Sequence, residues 1–327
     1  MLHIVGMGFA KPNNIISNKF LEDLEIGTTA EWITDKIGIQ ERRSSLPIEY
    51  VSSERNQDIR KAREVASDSP TDLALRAIQM ACERAGIRAT DIGMIVCNCC
   101  APDQLLPTEG QRIADRLGIS VHSYEVFTAC PVFALHADYL ENFRPSELPD
   151  YVLCVSTAAL TQRVNYNDRT DGAIWGDGAA AWIVSPSKKG KLKIIDSVFM
   201  ADPTRAGAVV VDTLGHFHQD GRAVRDFSVR QTVRMIKSME ERFNLDWTKD
   251  IFVGHQANRT MLDQITNNRE IPASNHWHNV GKSGNQAGAS AGIVMAENWD
   301  RMESGKRIAV AVVGAGLSWG SVLLEVQ

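Results

Sequence analysis

Twice along this chain an amphipathic helical pattern leads into a short apolar run that opens on Asp-Ile, and this recurrence restricts the available folds more than any other feature. The first helix is expected between Ser69 and Gly86. Ser69 supplies a capping hydroxyl, Pro70 fits the first turn, Asp72 complements the positive end, and Leu75, Ile78, Cys82 and Ala85 share a face before Gly86 ends it. Asp91 to Cys97 then reads as a buried strand. In the second half Val229, Val233, Ile236 and Phe243 mark a helical face, and Asp250 to Gly254 reads as the following strand. Asp91 and Asp250 stand 159 positions apart in a chain of 327 residues. The expected fold class is therefore α/β, built from two similar halves, residues 1–185 and 186–327.

Composition narrows the function classes. With 44% hydrophobic and 23% charged residues the chain is globular, and a net charge of −5 gives no basic face for nucleic acid. The six cysteines, Cys82, Cys97, Cys99, Cys100, Cys130 and Cys154, are too few for a disulfide scaffold and sit in apolar stretches, which suits a reducing cytoplasm. The N-terminus lacks the pattern of a signal peptide, and no apolar run is long enough for a membrane span. The charged stretch from Arg42 to Ser69 reads as a surface excursion.

A few residues stand out chemically. Cys130 ends the β-prone run Glu125 to Ala129 and precedes Pro131, so its thiol is expected at a helix N-terminus, where the dipole would favour thiolate. A buried structural cysteine is the other reading. Cys97, Cys99 and Cys100 look like strand residues with no zinc spacing, and no metal is expected. His255 follows Ile251-Phe252-Val253 at a strand end, the place where α/β proteins build sites, unless it is a satisfied core histidine. Asn285 lies in a loop of small residues between Gly281 and Ser290, 155 positions after Cys130, so the two could occupy equivalent turns of the two halves. Gly288-Ala289-Ser290-Ala291-Gly292 formally matches a serine nucleophile elbow, but the residues before it lack the strand that an elbow requires. The pairs His216/His218 and His276/His278 read as solvated loop histidines.

Several of these segments together resemble the β-ketoacyl-[acyl-carrier-protein] synthase III-like family of the thiolase superfamily. The segments are Glu31-Trp32-Ile33 through Gly38-Ile39, Thr128-Ala129-Cys130, Asp168-Arg169 with Gly176-Asp177-Gly178-Ala179, Gly254-His255-Gln256-Ala257-Asn258, Gly284-Asn285 and Gly314 to Gly320. The resemblance implies a five-layered αβαβα fold and a homodimer. It also implies an acyltransferase that uses acyl-CoA as a substrate, with no further cofactor. In that reading Cys130 accepts the acyl group, His255 and Asn285 stabilise the enolate formed when a malonyl thioester loses CO2, and the N–H groups of Cys130, Ala315 and Gly316 supply the oxyanion hole. Trp32, Lys36, Arg169, Gly221 and Asn258 match CoA-binding positions. Some positions depart from the family pattern. Pro131-Val132 replaces small residues and glycine, Lys36 replaces an arginine, Ala315 replaces a glycine, and Arg259-Thr260 reverses the order that usually supplies an acyl-carrier-protein contact. These departures point to a specialised fatty-acid or polyketide pathway. Transfer of the acyl group to an alcohol or amine without decarboxylation is the alternative.

Overall fold

The computed structural model describes residues 1–327. Nine strands form one sheet: β1 (His3–Ala10), β2 (Met94–Cys99), β3 (His122–Glu125), β4 (Val152–Ala158), β5 (Gly178–Ser185), β6 (Leu192–Ala201), β7 (Ile251–Gly254), β8 (Arg307–Gly314) and β9 (Ser318–Val326), in the order β7-β8-β9-β6-β1-β5-β4-β2-β3. β1 and β6 meet through only two residue pairs, His3 with Lys193 and Ile4 with Leu192. On either side of this seam the first strand of a half lies beside its last and then its penultimate strand, followed by β7 in the second half and by β2 with β3 at the edge in the first. β4 runs parallel to β2, and β8 parallel to β7.

Period-two alternation makes each strand two-faced. Ala179, Ala181 and Ile183 of β5 join an outer core with α1 (Pro70–Ala85) and α2 (Glu109–Leu117), while Ala180, Trp182 and Val184 join the central core. Ala309, Ala311 and Val313 of β8 likewise face outward toward α4 (Gly221–Phe243) and α5 (Arg259–Asn268), and Ile308, Val310 and Val312 face the centre. Between the two parts of the sheet lie α3 (Val132–Glu141) and α6 (Ala289–Glu297). The layers are therefore αβαβα. No helix is long and apolar enough to cross a membrane.

The expected helix from Ser69 to Gly86 is present, with a Ser69–Asp72 capping box and a left-handed Gly86 at its end. Its buried face is rotated from the expected one, however, and centres on Leu73, Ala74, Ala77, Ile78 and Ala81, leaving Leu75 half-buried. The reason is close approach to β1. A Cβ on Gly6 would fall 2.2 Å from the Ala81 carbonyl oxygen, and one on Gly8 2.1 Å from that of Ala77. Alanines on the helix and glycines on the strand let the two backbones touch. The first apolar run starts later than its Asp-Ile opening, because Ala89–Asp91 forms a 3-10 turn and pairing begins at Met94.

Two expectations about polar segments are corrected. The stretch from Arg42 is not a surface excursion throughout. Arg42, Ser44, Ser45 and Asn56 are buried, because β-pairing of Glu41–Ser44 and two short helices fold it against the central core. Nor is His276 a solvated loop residue. It bridges Phe252 of β7, stacks on that ring with centroids 5.5 Å apart, and has a buried Nε2 without a partner.

Burial, with His278 and Arg259 nearby, pushes the His276 imidazole down to about 3. The unfolded chain binds a proton there from about pH 6.5 downward and the native chain does not, so stability is intact above pH 6.5 and lost as pH falls toward 3. His276→Phe is expected to reduce the loss of unfolding free energy between pH 7.5 and pH 5 by about 2 kcal/mol, read from urea titrations at the two pH values. Gly8→Ala is expected to destabilise the fold by about 3 kcal/mol at either pH, seen as a lower urea midpoint.

Candidate active site

Cys130 lies immediately before Pro131, the N-cap of α3. The expected β run ends early, at Glu125, and the chain from Val126 to Ala129 is an irregular turn fastened at several points. The Val126 N–H donates to the Cys97 carbonyl at 3.0 Å, the Thr128 N–H to Asn98 Oδ1 at 3.2 Å, and the Thr128 and Ser318 hydroxyls lie 3.2 Å apart. Strands β2 and β9 thus fix the turn that presents the thiol. The end of β8 closes over it. A Cβ on Gly314 would come within 2.8 Å of the Cys130 nitrogen and 2.9 Å of its Cβ. Glycine is required there for the 314–316 backbone to lie against Cys130.

Proximity to the helix N-terminus does not leave Cys130 with the acidic thiol expected from the sequence. Burial pushes it well above the ordinary thiol value, and the opposing hydrogen bond from its own backbone N–H is the smaller effect. The resting group is a thiol.

His255 is the first residue after β7, 6% exposed, with a buried Nδ1 that has no hydrogen-bond partner in the protein. Burial lowers its imidazole to about 4, so it is neutral at physiological pH. The turn is held by Gln256, whose amide donates to the Gly254 carbonyl at 2.8 Å and accepts from the Asn279 and Val280 N–H groups. Asn285 is anchored by its backbone to Ile174 and Gly176, forming a bridge beside Trp175. Its Oδ1 accepts the Ala287 N–H at 2.9 Å, which leaves the side-chain NH2 as an unengaged donor.

One cavity of about 1390 Å3 gathers these groups, and Cys130, His255, Asn285, Gly314, Ala315 and Gly316 all line it. It extends to Trp32, Lys36, Gly221 at the start of α4, and Asn258, whose side chain caps α5. Arg169 is placed differently. It lies in an adjoining concavity with Gly27, Thr28, Thr29 and Trp32, its guanidinium 5.3 Å from the Trp32 ring centre and its Nη1 donating to the Gly27 carbonyl at 2.7 Å. Trp32, 38% exposed, belongs to both spaces. Ser290 is inside α6, buried, and accepts the Gln286 N–H, so no serine elbow exists.

Sequence reasoning did not single out how this site is held. Asp177 is fully buried and accepts hydrogen bonds from the Ser45 N–H at 2.8 Å, the Ser45 hydroxyl at 2.7 Å and the Thr161 N–H at 2.9 Å. Its carbonyl accepts from Gln286 at 2.7 Å, next to Asn285. Gly176 and Gly178 flank it because Cβ atoms there would meet the Ser283 carbonyl and the Gln286 amide at 2.0 and 2.4 Å. An acid between two glycines was the available signal. The half-buried Glu125 and the exposed Leu105, Leu106 and Phe127, which also line the cavity, carried no pattern that marked them out.

Two family descriptions match the chain: 3-oxoacyl-[acyl-carrier-protein] synthase III over residues 124–203, and the C-terminal part of the same family over residues 248–326. A β-ketoacyl-[acyl-carrier-protein] synthase III of Sulfurovum sp. (strain NBC37-1) is 28% identical over 97% of this chain and 94% of its own. In fold, the chain is similar to the 3-oxoacyl-[acyl-carrier-protein] synthase III of Aquifex aeolicus VF5, with a TM-score of 0.86 and 24% identity over 99% of this chain and all of that one. It is also similar to the priming β-ketosynthase of the R1128 polyketide biosynthetic pathway, with a TM-score of 0.81 and 24% identity over 100% of this chain and 97% of that one. With the five layers and the ordered motifs, these likenesses support a β-ketoacyl synthase III-like member of the thiolase superfamily and an acyltransferase of the ketosynthase III type.

Proposed function

We propose that the enzyme performs a decarboxylative Claisen condensation in two half-reactions. The supporting observation is the convergence of Cys130, His255, Asn285 and the Gly314–Gly316 backbone on one cavity that reaches the surface at Trp32 and Lys36. In the first half-reaction the Cys130 sulfur bonds to the carbonyl carbon of an acyl-CoA, and CoA leaves as its thiol, carrying the proton from Cys130. The Cys130 N–H and those of Ala315 and Gly316 hold the oxyanion. Because the resting thiol is neutral, deprotonation accompanies substrate arrival, and a neutral His255 is the base within the cavity. CoA lies toward Trp32, Lys36, Gly221 and Asn258, with Arg169 at the outer concavity as a partner for phosphate.

In the second half-reaction a malonyl thioester breaks its bond to CO2 and keeps the electron pair as an enolate. Neutral His255 and the free NH2 of Asn285 donate to the enolate oxygen. The enolate carbon attacks the Cys130 thioester, the sulfur departs, and a β-keto thioester results. Simple acyl transfer needs no second enolate donor, so the engagement of Asn285 Oδ1 by Ala287, which turns the NH2 outward, favours condensation. Ala315 and Pro131-Val132 reshape the nucleophile's surroundings, and the likeness to a priming polyketide ketosynthase supports a specialised fatty-acid or polyketide role. The enzyme works as a homodimer in this reading, the exposed Leu105, Leu106 and Phe127 forming an apolar surface beside the cavity.

Intact-protein mass after incubation with acyl-CoAs is expected to show one acyl group on the wild type and none on Cys130→Ala, with malonyl thioester discharging it as a β-keto product. Asn285→Asp is expected to keep acylation but to slow malonyl decarboxylation by about a hundredfold. Undiminished decarboxylation in that variant would leave the acyltransferase as the better reading.

A further inference from the structure

The cavity wall holds a cation that the reaction just described leaves unused. Arg163 lines the cavity and is 7% exposed, yet no carboxylate pairs with it, and its one hydrogen bond runs from Nη1 to the Thr213 carbonyl at 3.1 Å. Arg42 shows what a purely structural arginine looks like in this fold. It is completely buried, lines no part of the cavity, and spends Nε and Nη2 on the Ala173 carbonyl and Nη1 on Asn18. Nε and Nη2 of Arg163 have no protein partner by comparison, and a guanidinium with free N–H groups on a cavity wall suits an anionic acceptor.

Arg163 lines the cavity together with Cys99, Cys100 and Cys130. A second cation, Arg63 of the short helix Ile59–Val65, lies near enough to Arg163 to repel it and donates to the Asp103 carbonyl at 2.7 Å. Of the acids on the cavity wall, Asp103 lies near enough to Arg163 to favour its charge, but its carboxylate sits 3.3 Å from Arg112, and neither Glu125 nor Asp212 forms an ion pair with Arg163.

Resting on the reading of Cys130 as the acylated residue, we propose that Arg163, assisted by Arg63, receives an anionic group at the distal end of the acyl chain, so that the preferred donor is the CoA monothioester of a dicarboxylic acid. A malonyl extender also carries a carboxylate, but that group must leave as CO2, and a guanidinium gripping it would stabilise the ground state and oppose decarboxylation. A distal carboxylate on the donor is retained throughout and gains a charge-assisted, two-pronged contact.

The test is the rate of Cys130 acylation, followed by intact-protein mass without malonyl thioester, for donors matched in length: butyryl- against succinyl-CoA and hexanoyl- against adipyl-CoA. The proposal expects the dicarboxylic member to react at least ten times faster at one length or both. It expects Arg163→Gln to abolish that preference while neutral donors stay within about threefold of wild type, and Arg63→Gln to weaken it severalfold. Arg163→Lys, which keeps the charge without the fork, should retain part of it. Equal or faster reaction of the neutral donors at both lengths, or a preference that survives Arg163→Gln, overturns the proposal and leaves Cys130 acylation standing. Should Arg163→Gln not fold, the wild-type pairs and Arg63→Gln decide. A loss confined to malonyl decarboxylation in Arg163→Gln assigns the cation to the extender and also overturns the proposal, whereas no acylation by any donor removes the reading on which it rests.

Discussion

Everything about this site depends on burying two helices between two parts of one sheet. α6 is apolar on all sides, with Ala289 to Ala296 buried without interruption, and such a helix is stable only where every face meets another element. β5 and β1 cover one side, while α3 and β7 reach it from others. α3 packs in turn on β6, β8 and β9. Because the two helices occupy the same layer, the turns leading into them open on a common space. Cys130 precedes one helix by two residues and Asn285 precedes the other by four. The reactive groups meet because of how apolar surface is covered.

Two buried charged groups beside this layer are fully engaged. Asp177 has donors from two segments, and Arg42 has a carbonyl and an amide. Within the cavity the pattern reverses. His255 has a buried nitrogen without a partner, the Asn285 NH2 is unengaged, Arg163 has no carboxylate, and the Cys130 thiol is displaced upward by burial. All four line the cavity, where a substrate can supply their partners. The stability of the fold and the chemistry of the cavity thus lie in separate networks, joined at Gln286, which ties Asp177 to the Asn285 turn.

The parts of this arrangement legible in the sequence are those encoded by local chemistry. Ser69, Asp72 and Gly86 specify both ends of α1, and the strand after each Asp-Ile announces itself by continuous apolar residues. The site motifs were legible because each occupies a short turn with its own composition. The buried face of α1 was not, since it is selected by Gly6 and Gly8, some seventy residues away. Arg42 and His276 were misjudged for the same reason, because a charged or imidazole side chain reads as surface until a distant carbonyl or aromatic ring is known to meet it. Arg163 and the lining residues Leu105, Leu106 and Phe127 were silent because a cavity wall has no sequence period.

The contrast between the expected and observed state of Cys130 bears on mechanism. A helix N-terminus favours thiolate by a fraction of the cost of placing that charge in an apolar cavity, so desolvation decides the resting state. His255, lowered to about 4 by the same burial, does not hold the proton as a resting imidazolium either. A neutral pair is thus the low-energy state of the empty cavity, and charge develops only when a thioester carbonyl arrives opposite the Cys130 and Gly314–Gly316 backbone. A thiol is a far weaker nucleophile than a thiolate, so the sulfur gains reactivity as its proton is drawn off. Neutrality also suits His255 for the second half-reaction, since a neutral N–H beside the free Asn285 NH2 can stabilise an enolate oxygen without transferring a proton that would quench the carbanion before it attacks.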